Sequence, residues 1–187
     1  MKKQVTVCIL VLAATTAAAI AAFWLGINPP AVNVIGAYAS IFVGVLAAKL
    51  FHVSDGLYYT GIIFIFFASP VGSVLDLYRS FGPYDKIVHF ASGLLLAAVG
   101  VMIAEYFLEK LEIKDAQRNT AAALTALFAF FVAGAGAGLW EIFEFAADKM
   151  AGGGMQRGMV DTLTDMIAGN LGGLGYAVWI GKRKSIH

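Results

Sequence analysis

Three acidic residues, Glu141, Glu144 and Asp148, follow one another at spacings of three and four and so lie along one side of a helix. The stretch they close is apolar enough to cross a bilayer, where a carboxylate is costly unless it faces protein, a partner or water. Asp85 and His89 are four apart, as are Asp161 and Asp165, and Asn170 lies five residues beyond. One imidazole among carboxylates suits two kinds of chemistry. Asp85, His89, Glu141, Glu144, Asp148, Asp161 and Asp165 offer nitrogen and oxygen donors to a hard or borderline divalent metal ion. His89, Glu141, Asp161 and Asp165 are also candidate catalytic residues, exchanging a proton between imidazole and carboxylate. Arg79, Lys86 and Arg157 could contact the phosphate of a lipid head group at the mouth of such a site. The alternative is structural: Lys86 with Asp85, His89 with Glu141 or Glu144, and Arg157 with Asp148 or Asp161 would pair and hold helix ends together.

Other side chains contribute less. Cys8 is the only cysteine of the chain, which excludes an intrachain disulfide and a thiolate cluster. Ser92 lies three residues after His89, but nothing else around it resembles a nucleophile site. Asn170 points about 140° away from Asp165 on a helix, so it either caps a kink among Gly169, Gly172, Gly173 and Gly175 or bonds to another helix.

The elements that must carry these residues are membrane spans. Of the 187 residues 60% are hydrophobic and 13% charged, and the formal net charge of +1 gives no basis for a nucleic-acid footprint. The expected architecture is a single all-α integral membrane domain, a compact bundle of six transmembrane helices over about 5–26, 32–51, 57–75, 87–108, 120–147 and 161–181. Asn28-Pro29-Pro30 breaks the chain after the first span, which is expected to be retained rather than cleaved. Pro70 and Gly72 bend or end the third. Residues 76–86 read as an interfacial loop, 109–119 as a charged linker, and Gly152-Gly153-Gly154 as a turn. Of the 13 Lys and Arg, six crossings place Lys2, Lys3, Lys49, Lys110, Lys114, Arg118, Lys182, Arg183 and Lys184 on the side of both termini. The positive-inside rule makes that side cytoplasmic. His52 and Asp55 then fall in a short solvent-facing cytoplasmic turn.

This topology brings the polar groups to one face. Asp85 and His89 open the fourth helix there, Glu141 to Asp148 close the fifth, and Asp161 and Asp165 open the sixth. Gly134-Ala135-Gly136-Ala137-Gly138 and the Gly169/Gly173 pair allow close helix approach beside them.

Tyr84-Asp85-Lys86-Ile87-Val88-His89-Phe90, Gly138-Leu139-Trp140-Glu141-Ile142-Phe143-Glu144 and Asp161-Thr162-Leu163-Thr164-Asp165, with Asn170 and Gly173 beyond, resemble the YjdF-type family of small bacterial inner-membrane proteins. The Asp-Lys-x-x-His-Phe opening and the later Asp, Asn and Gly positions are more distantly similar to VanZ-like proteins, associated with glycopeptide-antibiotic resistance. On that likeness Asp85, Lys86, His89, Glu141, Asp161, Asp165 and Asn170 map onto the family pattern, with no catalytic role attached. Trp140-Glu141-x-x-Glu144 sits with the YjdF-type pattern instead. The resemblance covers about residues 57–181 and implies a multi-pass protein of the bacterial inner membrane.

The leading functional expectation is an outward-facing acidic and histidine pocket that binds or processes a polar lipid head group or cell-envelope precursor. A membrane lipid or lipid-linked ligand is then the partner, with a membrane-protein partner as a further candidate. An ion-coupled transporter or proton-responsive channel is one alternative. A structural or assembly module stapled by ion pairs is the other.

Overall fold

The computed structural model describes residues 2–111, 118–151 and 154–186. Every regular element among them is helical. They are α1 (Lys2–Trp24), α2 (Ala31–Leu50), α3 (Asp55–Phe66), which runs on into a π-helical segment (Phe67–Val74), the short α4 (Leu77–Ser80), α5 (Tyr84–Lys110), α6 (Arg118–Ala151) and α7 (Met159–Ile186). Five stretches are long and apolar enough to cross a membrane: Lys2–Trp24, Ala31–Leu50, Asp55–Val74, Tyr84–Lys110 and Asn119–Met150. α7 is as long as these, but Asp161, Asp165, Asn170 and its glycines lower its apolar character. Leu10, Phe23, Val32, Phe42, Leu139 and Ile142 are exposed, as lipid-facing side chains of such helices are.

Several sequence boundaries shift for physical reasons. The break at residues 26–30 forms as expected, with Gly26 and Asn28 at φ of 73 and 49. Pro70 neither stops the third span nor simply kinks it. Lacking an N–H and clashing with the preceding turn, it is absorbed by a π register in which Leu75 N–H donates to the Pro70 carbonyl at 3.1 Å. The expected loop over 76–86 contains α4, and α5 already begins at Tyr84, so Asp85 and Lys86 are helical. α6 and α7 each exceed the expected spans at both ends. Residues 112–117 of the expected linker, and Gly152 and Gly153 of the expected turn, lie outside the described residues.

Contacts divide the chain into two units, Met1–Val88 and His89–His187. In the first, Ala22, Ala37 and Val74 form a small buried cluster. Polar bonds tie its helices: Gln4 Nε2 donates to Asp55 Oδ1 at 2.7 Å, Tyr58 OH to the Gln4 carbonyl at 3.1 Å, and Asn33 Nδ2 to the Ser73 carbonyl at 3.1 Å. Asp55 thus fastens α3 to α1 rather than simply meeting solvent. Ser54 caps α3 by accepting from Leu57 N–H.

The second unit packs the rest of α5 with α6 and α7, and its buried positions recur every third or fourth residue. Rows at four-residue spacing run through His89, Gly93, Ala97 and Val101 on α5, Ala129, Ala133, Ala137 and Glu141 on α6, and Asp165, Gly169, Gly173 and Ala177 on α7. These are ridges along the four-residue rows of each helix, built mostly from Gly and Ala. Lipid supplies no hydrophobic drive between helices, so close van der Waals packing has to. A Cβ on Gly93 would overlap the Gly169 carbonyl, and one on Gly172 the Phe90 carbonyl.

Candidate functional site

Each ridge ends on a polar residue. One four-residue step beyond Ala137 along α6 puts Glu141 on the same buried face, just as His89 precedes Gly93 on α5 and Asp165 precedes Gly169 on α7. The three side chains are therefore drawn in by the packing of their neighbours. Glu141 is 4%, His89 6% and Asp165 1% exposed.

Their ring and carboxyl atoms face one another. His89 Nε2 lies 3.7 Å from Asp165 Oδ1 and 4.0 Å from Glu141 Oε1. Neither separation is a hydrogen bond, whose N···O distance ends near ~3.2 Å. Glu141 Oε1 has no hydrogen-bond partner among the described residues. The carboxylate is held elsewhere by a hydrogen bond from the Thr162 side chain. A buried carboxylate oxygen left in this way costs free energy unless another group satisfies it. Two donors sharing one ion at about 2.1 Å each stand about 3.0–4.2 Å apart, and the separations of His89 from each of the two carboxylates fall in that range.

The remaining expected site residues separate into groups. Asp85 is buried, one helical turn before His89 on α5, and lies 3.7 Å from Lys86 Nζ. Asp161, on the first turn of α7, takes Arg157 Nε at 3.2 Å. Arg157, expected to be available to a phosphate, is thereby engaged with a carboxylate. Glu144 Oε1 accepts from Trp140 Nε1 at 2.7 Å at an exposed position, which accounts for the Trp-Glu-x-x-Glu spacing as an intrahelical pair. Asn170 bonds within its own helix, Nδ2 donating to the Met166 carbonyl at 2.7 Å, while its Oδ1 lies where a Cβ on Gly134 would come within 2.9 Å. Its bond stays within its own helix, and it sits against α6 beside Gly134. Ser92 Oγ donates to the His89 carbonyl at 2.7 Å, a helix-internal bond.

Asp148 stays with the connection after α6. Its carboxylate accepts the backbone N–H groups of Met155 at 3.0 Å and Gln156 at 2.9 Å. Asp148→Ala is expected to quicken amide exchange at Met155 and Gln156 on the order of tenfold, from ~1–2 kcal/mol of lost hydrogen bonding discounted for exposure. Asp148→Asn, which keeps an acceptor oxygen, should lie close to wild type in the same exchange measurement.

Two participants were not singled out by sequence reasoning. Thr162 reaches Glu141, and Gln156 Nε2 donates to Thr162 Oγ1 at 3.0 Å. The sequence signal for Thr162 was only its place beside Asp161.

A family model described as a predicted membrane protein (DUF2238) matches residues 5–185. An uncharacterized protein of Thermotoga maritima is 30% identical over 109 residues, 58% of this chain and 53% of that protein. The chain thus spans about half the length of the curated relative it matches. No solved structure matches.

Proposed function

We propose, for a chain that belongs to the DUF2238 family of predicted membrane proteins, that its second unit holds a divalent metal ion at His89, Glu141 and Asp165. The observation that carries this reading is the buried imidazole nitrogen standing 3.7 and 4.0 Å from two buried carboxylate oxygens, one of them without a hydrogen-bond partner. Two carboxylates, when both are ionised, carry two negative charges, and a divalent ion would balance them inside the bundle. Isolated, those charges would be expensive at this depth.

In this reading α7 is a sixth crossing of the bacterial inner membrane, both termini are cytoplasmic, and the YjdF-type likeness describes the same family. The ion gives the site affinity for an anionic oxygen, so a polar lipid head group or phosphorylated envelope precursor is the proposed ligand class. With His89, Glu141 and Asp165 taken up as ligands, Asp161 is the remaining candidate of the four for acid/base work on it.

The test is direct. Full-length protein purified in detergent without chelator should contain close to one equivalent of a transition metal, and after stripping it should regain one equivalent of Co2+ with a visible absorption band. Protein that retains no metal and gives no Co2+ band overturns the reading.

The structural alternative draws on a separate observation: the outer charges pair locally, Lys86 with Asp85 and Arg157 with Asp161. Each pair is local to the start of one helix, so it satisfies these charges without needing a ligand.

A further inference from the structure

We propose that Thr162 is the positioning residue of the buried centre, its hydroxyl holding the Glu141 carboxylate so that Oε1 stays turned toward His89, and that Gln156 supports it from the loop. This inference rests on the metal-binding reading of His89, Glu141 and Asp165.

The bonding inventory leads to it. Gln156 Nε2 donates to Thr162 Oγ1 at 3.0 Å, which occupies a lone pair of the hydroxyl and leaves its single proton to be donated onward. The onward partner is the Glu141 carboxylate, which when ionised can only accept. Gln156 is itself fixed, because its backbone N–H donates to Asp148 at 2.9 Å. A chain of oriented donors therefore runs from Gln156, itself anchored on the Asp148 carboxylate at the end of α6, through Thr162 in the first turns of α7 to Glu141 on α6.

Position matters because a glutamate is poorly specified by itself. Its terminal torsion is broad and roughly two-fold, so packing around the stem does not choose which oxygen faces the histidine. A hydrogen bond to the carboxylate does choose, and Glu141 Oε1 is the oxygen left for His89 Nε2. Threonine suits the task better than serine because its branched Cβ restricts the rotation that aims the hydroxyl. Thr164, two residues on, shows the contrast: its hydroxyl donates back to the Val160 carbonyl at 2.8 Å and reaches no carboxylate side chain among the described bonds.

The experiment titrates Co2+ into the full chain in detergent for wild type, Thr162→Val, Thr162→Ser and Gln156→Ala, with thermal unfolding in chelator recorded for each. Thr162→Val keeps the shape and removes the donor, and it should weaken Co2+ binding about 10- to 100-fold, as loss of an orienting partner does. Its unfolding temperature in chelator should stay near wild type. Thr162→Ser should recover binding to within about threefold, since it keeps the hydroxyl but loosens the rotamer. Gln156→Ala should fall between the two and carries the test if Thr162→Val does not fold. Wild-type affinity in Thr162→Val, or in Gln156→Ala where the valine variant is lost, overturns the inference and leaves the metal centre standing. Equal weakness of the serine and valine variants also overturns it, because packing of the methyl would then be what counts. A wild type that binds no Co2+ removes the metal reading and this inference together.

Discussion

Gly93→Ala should yield protein that no longer closes α5 against α7. The added methyl would overlap the backbone carbonyl of Gly169 and crowd the Gly173 amide, and backbone cannot rotate aside as a side chain can. Overpacking a yielding core costs ~1–3 kcal/mol, and this contact should exceed that range because both elements are rigid. Gly172→Ala should behave alike, since its methyl would meet the Phe90 carbonyl. Gly175→Ala is the matched control on the same helix, with nothing within 4 Å of its added Cβ. Thermal unfolding in detergent, followed by the fraction of monodisperse protein, should show large losses for positions 93 and 172 and little for 175. Similar behaviour of all three would mean that the close approach does not hold the unit together.

The same contact explains what could be read from the sequence. Gly and Ala at four-residue intervals are visible as letters, and each interval leads to His89, Glu141 or Asp165. Convergence of these three was legible because ridge spacing and polar position are both one-dimensional quantities. Glu144 and Asp148 have the same type and nearly the same spacing, yet go elsewhere. A carboxylate about 60° round the helix from Glu141 meets Trp140, and one at the helix end is taken by the nearest loop N–H groups, those of Met155 and Gln156. Which acidic residue turns inward is decided by azimuth and by local competitors, and spacing alone does not rank them. The entry of α5 was placed late because Asp85 and Lys86 look like loop residues, although charged side chains are tolerated in a first helical turn. Pro70 read as a bend or an end because a π register leaves no composition signature. Thr162 was hidden for a further reason. A hydroxyl in an opening helical turn ordinarily bonds its own backbone, as Thr164 does, and only the position of Glu141 on another helix makes Thr162 different.

Replacing the whole buried triad with neutral counterparts, His89→Gln, Glu141→Gln and Asp165→Asn together, should leave a folded protein that has lost its response to metal. Removing one member should be worse for stability than removing all the charge. Asp165→Ala leaves Glu141 and His89 buried with an altered balance, and breaking a buried ionic group by one partner costs about 3–5 kcal/mol, whereas replacing it entirely by uncharged groups is often neutral. That ordering alone does not distinguish a metal centre from an ion-pair staple. Linkage does. An ion that binds only the folded chain stabilises it by about 2.7 kcal/mol when present at a hundred times its dissociation constant. Thermal unfolding of wild type should therefore rise on adding Co2+ and fall on adding chelator, while the triple variant should unfold at one temperature in both. If chelator and Co2+ leave wild type unmoved, and the triple variant unfolds with it, the three side chains are a staple. In the metal centre the two carboxylates need the ion to stay charged together, so stability and metal must move together in wild type and separate in the variant.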